Sequence, residues 1–156
     1  MGKHTAELRW TRGDQAFLDN RYSRLHSARF DGGLQIPMSS SPGVVAVPMS
    51  DPAAVDPEEA FVAALASCHM LWFLSLAARD GWRVDSYRDA AAGTMGRDER
   101  NRIVMREVLL RPQVDFSGDR LPSREQIEQL HHDAHAECFL AHSVRCEVRC
   151  EPVMEE

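Results

Sequence analysis

The spacing of apolar and polar residues changes several times along the chain, and each change marks an element. Residues 5–12 predict a strand. A second is predicted over roughly 16–30, where Phe17, Tyr22 and Leu25 sit among arginines. Residues 31–55 are rich in Gly, Pro and Ser and read as a long connection, the kind of segment that often carries function. Asp56 then opens the longest apolar stretch. It suits the N-cap, Pro57 suits the first helical position, and Glu59 completes a capping box. No Asp, Glu, Lys or Arg follows until Arg79-Asp80, and Gly81 supplies a C-terminal stop. A segment this apolar on every face predicts a buried central helix.

Beyond Gly81 the pattern returns to strands. Residues 83–95 carry Val84, Tyr87 and Thr94, and residues 103–116 carry Val104, Val108, Leu110, Val114 and Phe116. The polar run Gly96–Arg102 between them reads as a hairpin tip, and Pro112 pushes part of the second strand toward an edge. Pro122-Ser123 opens a second helix, with Ser123 as N-cap and Gln126 closing a capping box. Ile127, Leu130, Ala134 and Phe139 supply its apolar stripe. Residues 143–153 alternate Val144, Cys146, Val148 and Cys150 with charged positions, the pattern of a half-buried strand. Strands, a long helix, a hairpin, a helix and a strand make an α+β fold with antiparallel sheet, organised as one domain over residues 1–156.

Composition narrows the function classes. At 156 residues, 44% hydrophobic and 27% charged, the chain can bury a substantial core. A net charge of −6 gives no basic footprint for nucleic acid. The first residues contain no apolar h-region, so no secretory signal is expected. Residues 60–78 approach a membrane span in length, but Ser67, Cys68, His69 and Ser75 interrupt them; no membrane partner is expected. The expected setting is cytoplasmic, where four cysteines stay reduced unless they are catalytic.

The cysteines carry the candidate chemistry. Cys68 lies mid-helix, away from the N-terminal dipole, so a reactive thiolate there needs a neighbouring cation, such as an arginine held by a carboxylate. Glu58 is a candidate for that carboxylate: ten residues earlier, it lies about 80° around the helix from Cys68. As a first-turn acid it equally favours the helix dipole. Cys138, at the end of the second helix, can approach a cysteine on a packed neighbour, as a peroxidatic and resolving pair requires. Taken singly, each cysteine also reads as a small buried hydrophobe. Cys146 and Cys150 share a strand face about 13 Å apart, too far for a mutual disulfide, and read as packing.

His131, His132, His135, Cys138 and His142 recur at helical spacing and raise the question of zinc, but no HExxH or CxxC pattern accompanies them. No metal and no bound cofactor are expected. His69 points away from the Cys68 side and reads as a packed or interfacial histidine. Neither a dinucleotide or P-loop motif nor a GxSxG elbow is present.

Asp56-Pro57-Glu58-Glu59, followed by Ala-Ser-Cys68-His69-Met70-Leu71-Trp72, resembles the signature of the OsmC/Ohr family, the osmotically inducible and organic-hydroperoxide-resistance proteins. The branch it is similar to has a Cys-His-Met-Leu sequence and an upstream Tyr-x-Arg-x-His, here Tyr22-Ser23-Arg24-Leu25-His26. The Cys138-Phe139 to Ser143-Val144 segment also resembles this branch. The resemblance implies antiparallel sheets around two long central helices in an interlaced homodimer, and a thiol peroxidase. By that analogy Cys68 attacks an organic hydroperoxide, Cys138 resolves the sulfenic acid, and an external dithiol, with a lipoyl protein as one candidate, recycles the disulfide. Glu58 matches the glutamate that orients an activating arginine. Arg21, Arg24 and Arg29 all fall in the relevant region, and Arg24 fits the motif. The alternative on the same fold is a non-catalytic protein that binds a small apolar ligand, with Met38, Met49, Met70 and Trp72 as compatible lining.

Overall fold

The computed structural model describes residues 1–154, which form two compact units, Met1–Ala60 and the residues from Phe61 onward. In the first unit, β1 (Ala6–Arg9), β2 (His26–Phe30) and β3 (Gln35–Met38) make an antiparallel sheet in that order. The strand expected from residue 16 starts only at His26. Asp19 and Asn20 turn the chain instead: the Asp19 carboxylate accepts from the Arg21 N–H at 3.0 Å, and Asn20 adopts φ 61°. Phe17 then stacks on Tyr22 with ring centroids 4.7 Å apart, and Trp10 meets Tyr22 edge-on at 5.4 Å. β3 lies inside the stretch that reads as a connection. A bridge between Met38 and Val55 ties the rest of that segment back.

α1 (Pro57–Arg79) starts as its capping box directs. The Glu59 N–H donates to the Asp56 carboxylate at 2.8 Å, and the Asp56 N–H donates to the Glu59 carboxylate at 3.1 Å. Gly81, at φ +82°, ends the helix, and the Trp82 N–H reaches back to the Ala77 carbonyl at 2.9 Å. The helix is not buried all round. One stripe, Leu65, His69, Phe73, Leu76 and Ala77, is buried, whereas Leu71 is 60% exposed and Ala64, Ser67, Ser75 and Ala78 are open beside it. A single chain has elements enough to cover only one side. By length and a mean hydropathy of 1.8, α1 meets the description of a membrane span, yet its buried stripe is the face that packs in the second unit.

The two strands expected after α1 are four. β4 (Arg83–Asp89) and β5 (Ala92–Arg97) lead up one arm of a hairpin; β6 (Ile103–Leu110) and β7 (Pro112–Ser117) lead down the other. β5 pairs with β6 and β4 with β7, so both arms break at the same level, at Ala90–Ala91 and at Arg111. The Asp89 carboxylate accepts from the Arg111 N–H at 2.7 Å and fixes that corner. Pro112 opens β7, which among the described residues pairs only with β4 and so lies at a sheet edge as expected, and its side chain is buried. Gly93 on β5 is needed for close approach: a Cβ there would stand 2.7 Å from Val62 of α1 and from Met105.

α2 (Arg124–Glu137) has the expected capping box between Ser123 and Gln126. Leu130, His131 and Ala134 are its buried residues; Phe139 lies beyond its end and is 64% exposed, so it is no part of the buried stripe. After a 3₁₀ turn at Ala141–Ser143, β8 (Glu147–Cys150) adds to β6 in parallel, the one departure from the antiparallel expectation. The chain returns to β6 through β7 and α2, and arrives running in the direction of β6. Two apolar clusters result. Phe73, Leu76 and Ala77 pack with Leu130 and Ala134 of α2 and with Val84, Tyr87, Val114 and Phe116 of the β4–β7 sheet. Leu65 packs with Val108 and Leu110, flanked by Cys146, Val148 and Cys150.

Candidate active site

Helical phase puts Cys68 and Trp72 one turn apart on α1, and the C-terminus of α2 brings Cys138 to them. Cys138 is the C-cap residue of α2 and is 1% exposed, whereas Cys68 is half-buried. The two thiols are hydrogen-bonding neighbours, and both are free. Burial first, and then the contact with Cys68, push the Cys138 thiol up to about 11, against a smaller opposing pull from the Leu140 and Ala141 N–H groups. Cys138 is therefore a thiol at neutral pH. The turn that follows is well tied: the His142 N–H donates to the Cys138 carbonyl at 3.3 Å, and Ser143 Oγ donates to the Phe139 carbonyl at 2.7 Å. Phe139 closes edge-on against Trp72, which gives the thiol pair an aromatic wall.

The other two candidates, Glu58 and Arg24, belong to the first unit. Glu58 lies in the first turn of α1, about 15 Å of helix rise before Cys68. The Arg24 guanidinium bonds to the Asn20 carbonyl at 3.1 Å, to Asn20 Oδ1 at 2.9 Å and to the Tyr22 carbonyl, and it lies 3.7 Å over the Tyr22 ring. None of those partners is a carboxylate, and among the described residues no ion pair joins Arg24 to Glu58. Arg29 is exposed on β2, and Arg21 is exposed in the turn.

The histidine series on α2 does not converge as a group. His132 is exposed, and the His142 ring bonds to the Ala136 carbonyl at 2.6 Å. His131 instead meets His69, Nδ1 to Nε2 at 3.0 Å, with the rings 5° from parallel. Burial lowers His69 to about 4, helped by His135, and lowers His131 to about 3, helped by His69, so both rings are neutral. Cys150 Sγ lies 3.6 Å from His69 Nε2; burial first, with Asp89 and Glu151 nearby, pushes its thiol up to about 12. This cluster draws one residue each from α1, α2 and β8, so no spacing in the sequence announces it.

The sequence model of the OsmC-like protein family matches residues 50–152. The chain belongs to the OsmC family. Among solved structures, an OsmC-like protein of unknown function from Vibrio cholerae is similar at 52% identity and TM-score 0.96, covering 98% of this chain and 100% of that one. An organic hydroperoxide resistance protein OsmC from Legionella pneumophila shares the fold at TM-score 0.71 and 15% identity, over 99% of this chain and 98% of that one. The organic hydroperoxide resistance protein OhrB of Bacillus subtilis does so at TM-score 0.69 and 18% identity, over 97% and 98%. No curated protein shows significant similarity to the chain. The OsmC fold thus carries this α+β architecture with its two helices.

Proposed function

We propose that this OsmC-family chain is a thiol-dependent peroxidase that reduces organic hydroperoxides to alcohols. The observation that carries the reading is the contact of a half-buried Cys68 thiol with a buried, strongly protonated Cys138 thiol. Cys68 as thiolate attacks the O–O bond of ROOH; with one proton taken up, ROH leaves and Cys68 becomes a sulfenic acid. The Cys138 thiol then condenses with it, water leaves, and a Cys68–Cys138 disulfide forms. An external dithiol, a lipoyl protein being one candidate, reduces that disulfide and is itself oxidised to a disulfide. Arg24 and Glu58 are assigned to activating Cys68, on the resemblance of Tyr22–His26 and Asp56–Glu59 to the family motifs. The aromatic pair Trp72 and Phe139 favours apolar substrates. The open stripe of α1, with small residues around Leu71, suits a helix of a second copy and supports a homodimer. A cytoplasmic setting agrees with four free cysteines.

The deciding experiment is intact-mass and free-thiol analysis after one equivalent of an alkyl hydroperoxide. The expected result is loss of two hydrogens and two thiols, mapped to Cys68–Cys138, with Cys138→Ser stopping at the sulfenic acid. Unchanged thiols in the unmutated protein would discard the peroxidase.

A further inference from the structure

Outside the Cys68–Cys138 pair, the second unit buries a polar cluster that the peroxidase reaction does not use. We propose that His69 Nε2, His131 Nδ1 and Cys150 Sγ form a binding site for a divalent transition-metal ion of borderline softness, of the zinc(II) class.

The first support is geometric. The three atoms all lie within 4.8 Å of one another, with His69 Nε2 3.0 Å from His131 Nδ1 and 3.6 Å from Cys150 Sγ. A tetrahedral zinc ion with ordinary Zn–N and Zn–S bonds needs N···N and N···S edges of about 3.3 Å and about 3.6 Å. Two of the three edges therefore stand near the metal-bound spacing already; a few tenths of an ångström of ring movement opens the His–His contact, and side-chain rotation at Cys150 closes the remaining edge, which lies within 4.8 Å.

The second support is the state of the histidines. Both are almost fully buried, at 1% and 3% exposure, and their remaining nitrogens, His69 Nδ1 and His131 Nε2, have no hydrogen-bond partner among the described residues. A hydrophobic core position filled by two histidines, whose only mutual satisfaction is a single N–H···N bond, is costly for packing alone. Imidazole nitrogens and a thiolate are the donor set that zinc-class ions select over magnesium or calcium.

The third support is access. His131 and Cys150 also line a cavity of about 380 Å³, together with Glu128, His132 and His135. Through it an ion can enter, and a water molecule would complete the tetrahedron. Cys150 loses its thiol proton to solvent when the metal–sulfur bond forms. Whichever ring donates the His–His bond moves that proton to its other nitrogen, so that both coordinate as neutral imidazoles. No electron is transferred. The bound ion would tie α1, α2 and β8 together at one point, as structural zinc sites do.

This site is independent of the peroxidase reading, and the test keeps the two apart. Reduced, metal-stripped protein is titrated anaerobically with Co²⁺ and followed by absorbance, then with Zn²⁺ in competition. One equivalent of Co²⁺ should release a proton and give tetrahedral d–d bands and a thiolate-to-cobalt charge-transfer band, which one equivalent of Zn²⁺ abolishes with no further proton release. The spectrum should survive in the Cys68→Ser/Cys138→Ser double variant and in Cys146→Ser, and the charge-transfer band should vanish in Cys150→Ser. Absence of a one-equivalent tetrahedral spectrum in the unmutated protein overturns the proposal, with no variant needed. So does a thiolate band that persists in Cys150→Ser or disappears with Cys68 and Cys138.

Discussion

Trp72 and Phe139 meet edge to face, ring centroids 5.5 Å apart at an interplanar angle of 89°, each beside one thiol of the Cys68–Cys138 pair. Trp72 follows Cys68 by one helical turn and Phe139 follows Cys138 directly, so the same backbone that positions the sulfurs also positions the wall. Phe139→Ala removes the half of the wall that stands open at the surface. The expected outcome is a roughly tenfold lower second-order rate with an aryl-alkyl hydroperoxide, equivalent to about 1.4 kcal/mol, and little change with hydrogen peroxide. Stopped-flow kinetics on both substrates checks it; equal losses on the two would remove the aromatic wall from substrate selection.

Arg24 and Glu58 give a separate prediction. If they activate Cys68 together, Glu58→Gln and Arg24→Ala should each slow peroxide reduction by roughly tenfold or more, and the double variant should be little worse than either alone. Simple additivity, or no loss in Arg24→Ala accompanied by loss in Arg21→Ala or Arg29→Ala, would move the role to another residue.

Gly93 offers a test of packing. Its missing side chain leaves room for Val62, whose β-branched methyl cannot swing away, and for Met105, whose thioether can. Gly93→Ala should destabilise the protein by about 1–3 kcal/mol. Urea unfolding measures it, and Met105→Ala in the same background should return part of the loss.

The buried imidazoles make the metal-free protein acid-sensitive. His69 at about 4 and His131 at about 3 are held below the ordinary histidine value near 6.5, chiefly by burial, among Phe73, Tyr87, His135 and Cys150. Between those values the unfolded chain binds more protons than the folded one. Their contribution to stability is therefore complete above about pH 6.5 and is lost as the pH falls toward the folded values. In chelator, the urea midpoint should drop between about pH 7 and about pH 5, and drop less in His131→Gln. A midpoint equally pH-dependent in that variant would place the sensitivity elsewhere.

What could be read from the sequence was what neighbours in sequence decide. The Asp56–Glu59 and Ser123–Gln126 boxes each close over three residues, and Gly81 ends α1 by its own backbone freedom, so both helices start or stop where their residues say. The break in the long hairpin is different. Ala90–Ala91 carries no turn signal, and the corner exists because Asp89 meets the Arg111 N–H from the opposite arm. The parallel pairing of β8 with β6 joins Val148 to Val108, a choice that alternation within either strand cannot reveal. At the site, the Cys68–Cys138 contact followed from packing of two helices that motifs had suggested separately, whereas His69 and Cys150 had each read as packing residues. Their meeting depends on three elements folding first.

The corner at Ala90–Ala91 and Arg111 has a further consequence for how firmness is distributed along α1. Because the hairpin breaks there, the early part of the helix answers to Leu65, Val108 and Leu110, and the late part to Phe73, Leu76, Leu130 and Ala134. His69 occupies the turn between these territories and belongs to neither apolar group. The helix is a beam resting on two supports, and slow amide exchange should appear at both rests before it appears at mid-span. An ion, a proton or a substitution at His69 thus acts where the beam is least braced, and can stiffen or slacken both ends from one point.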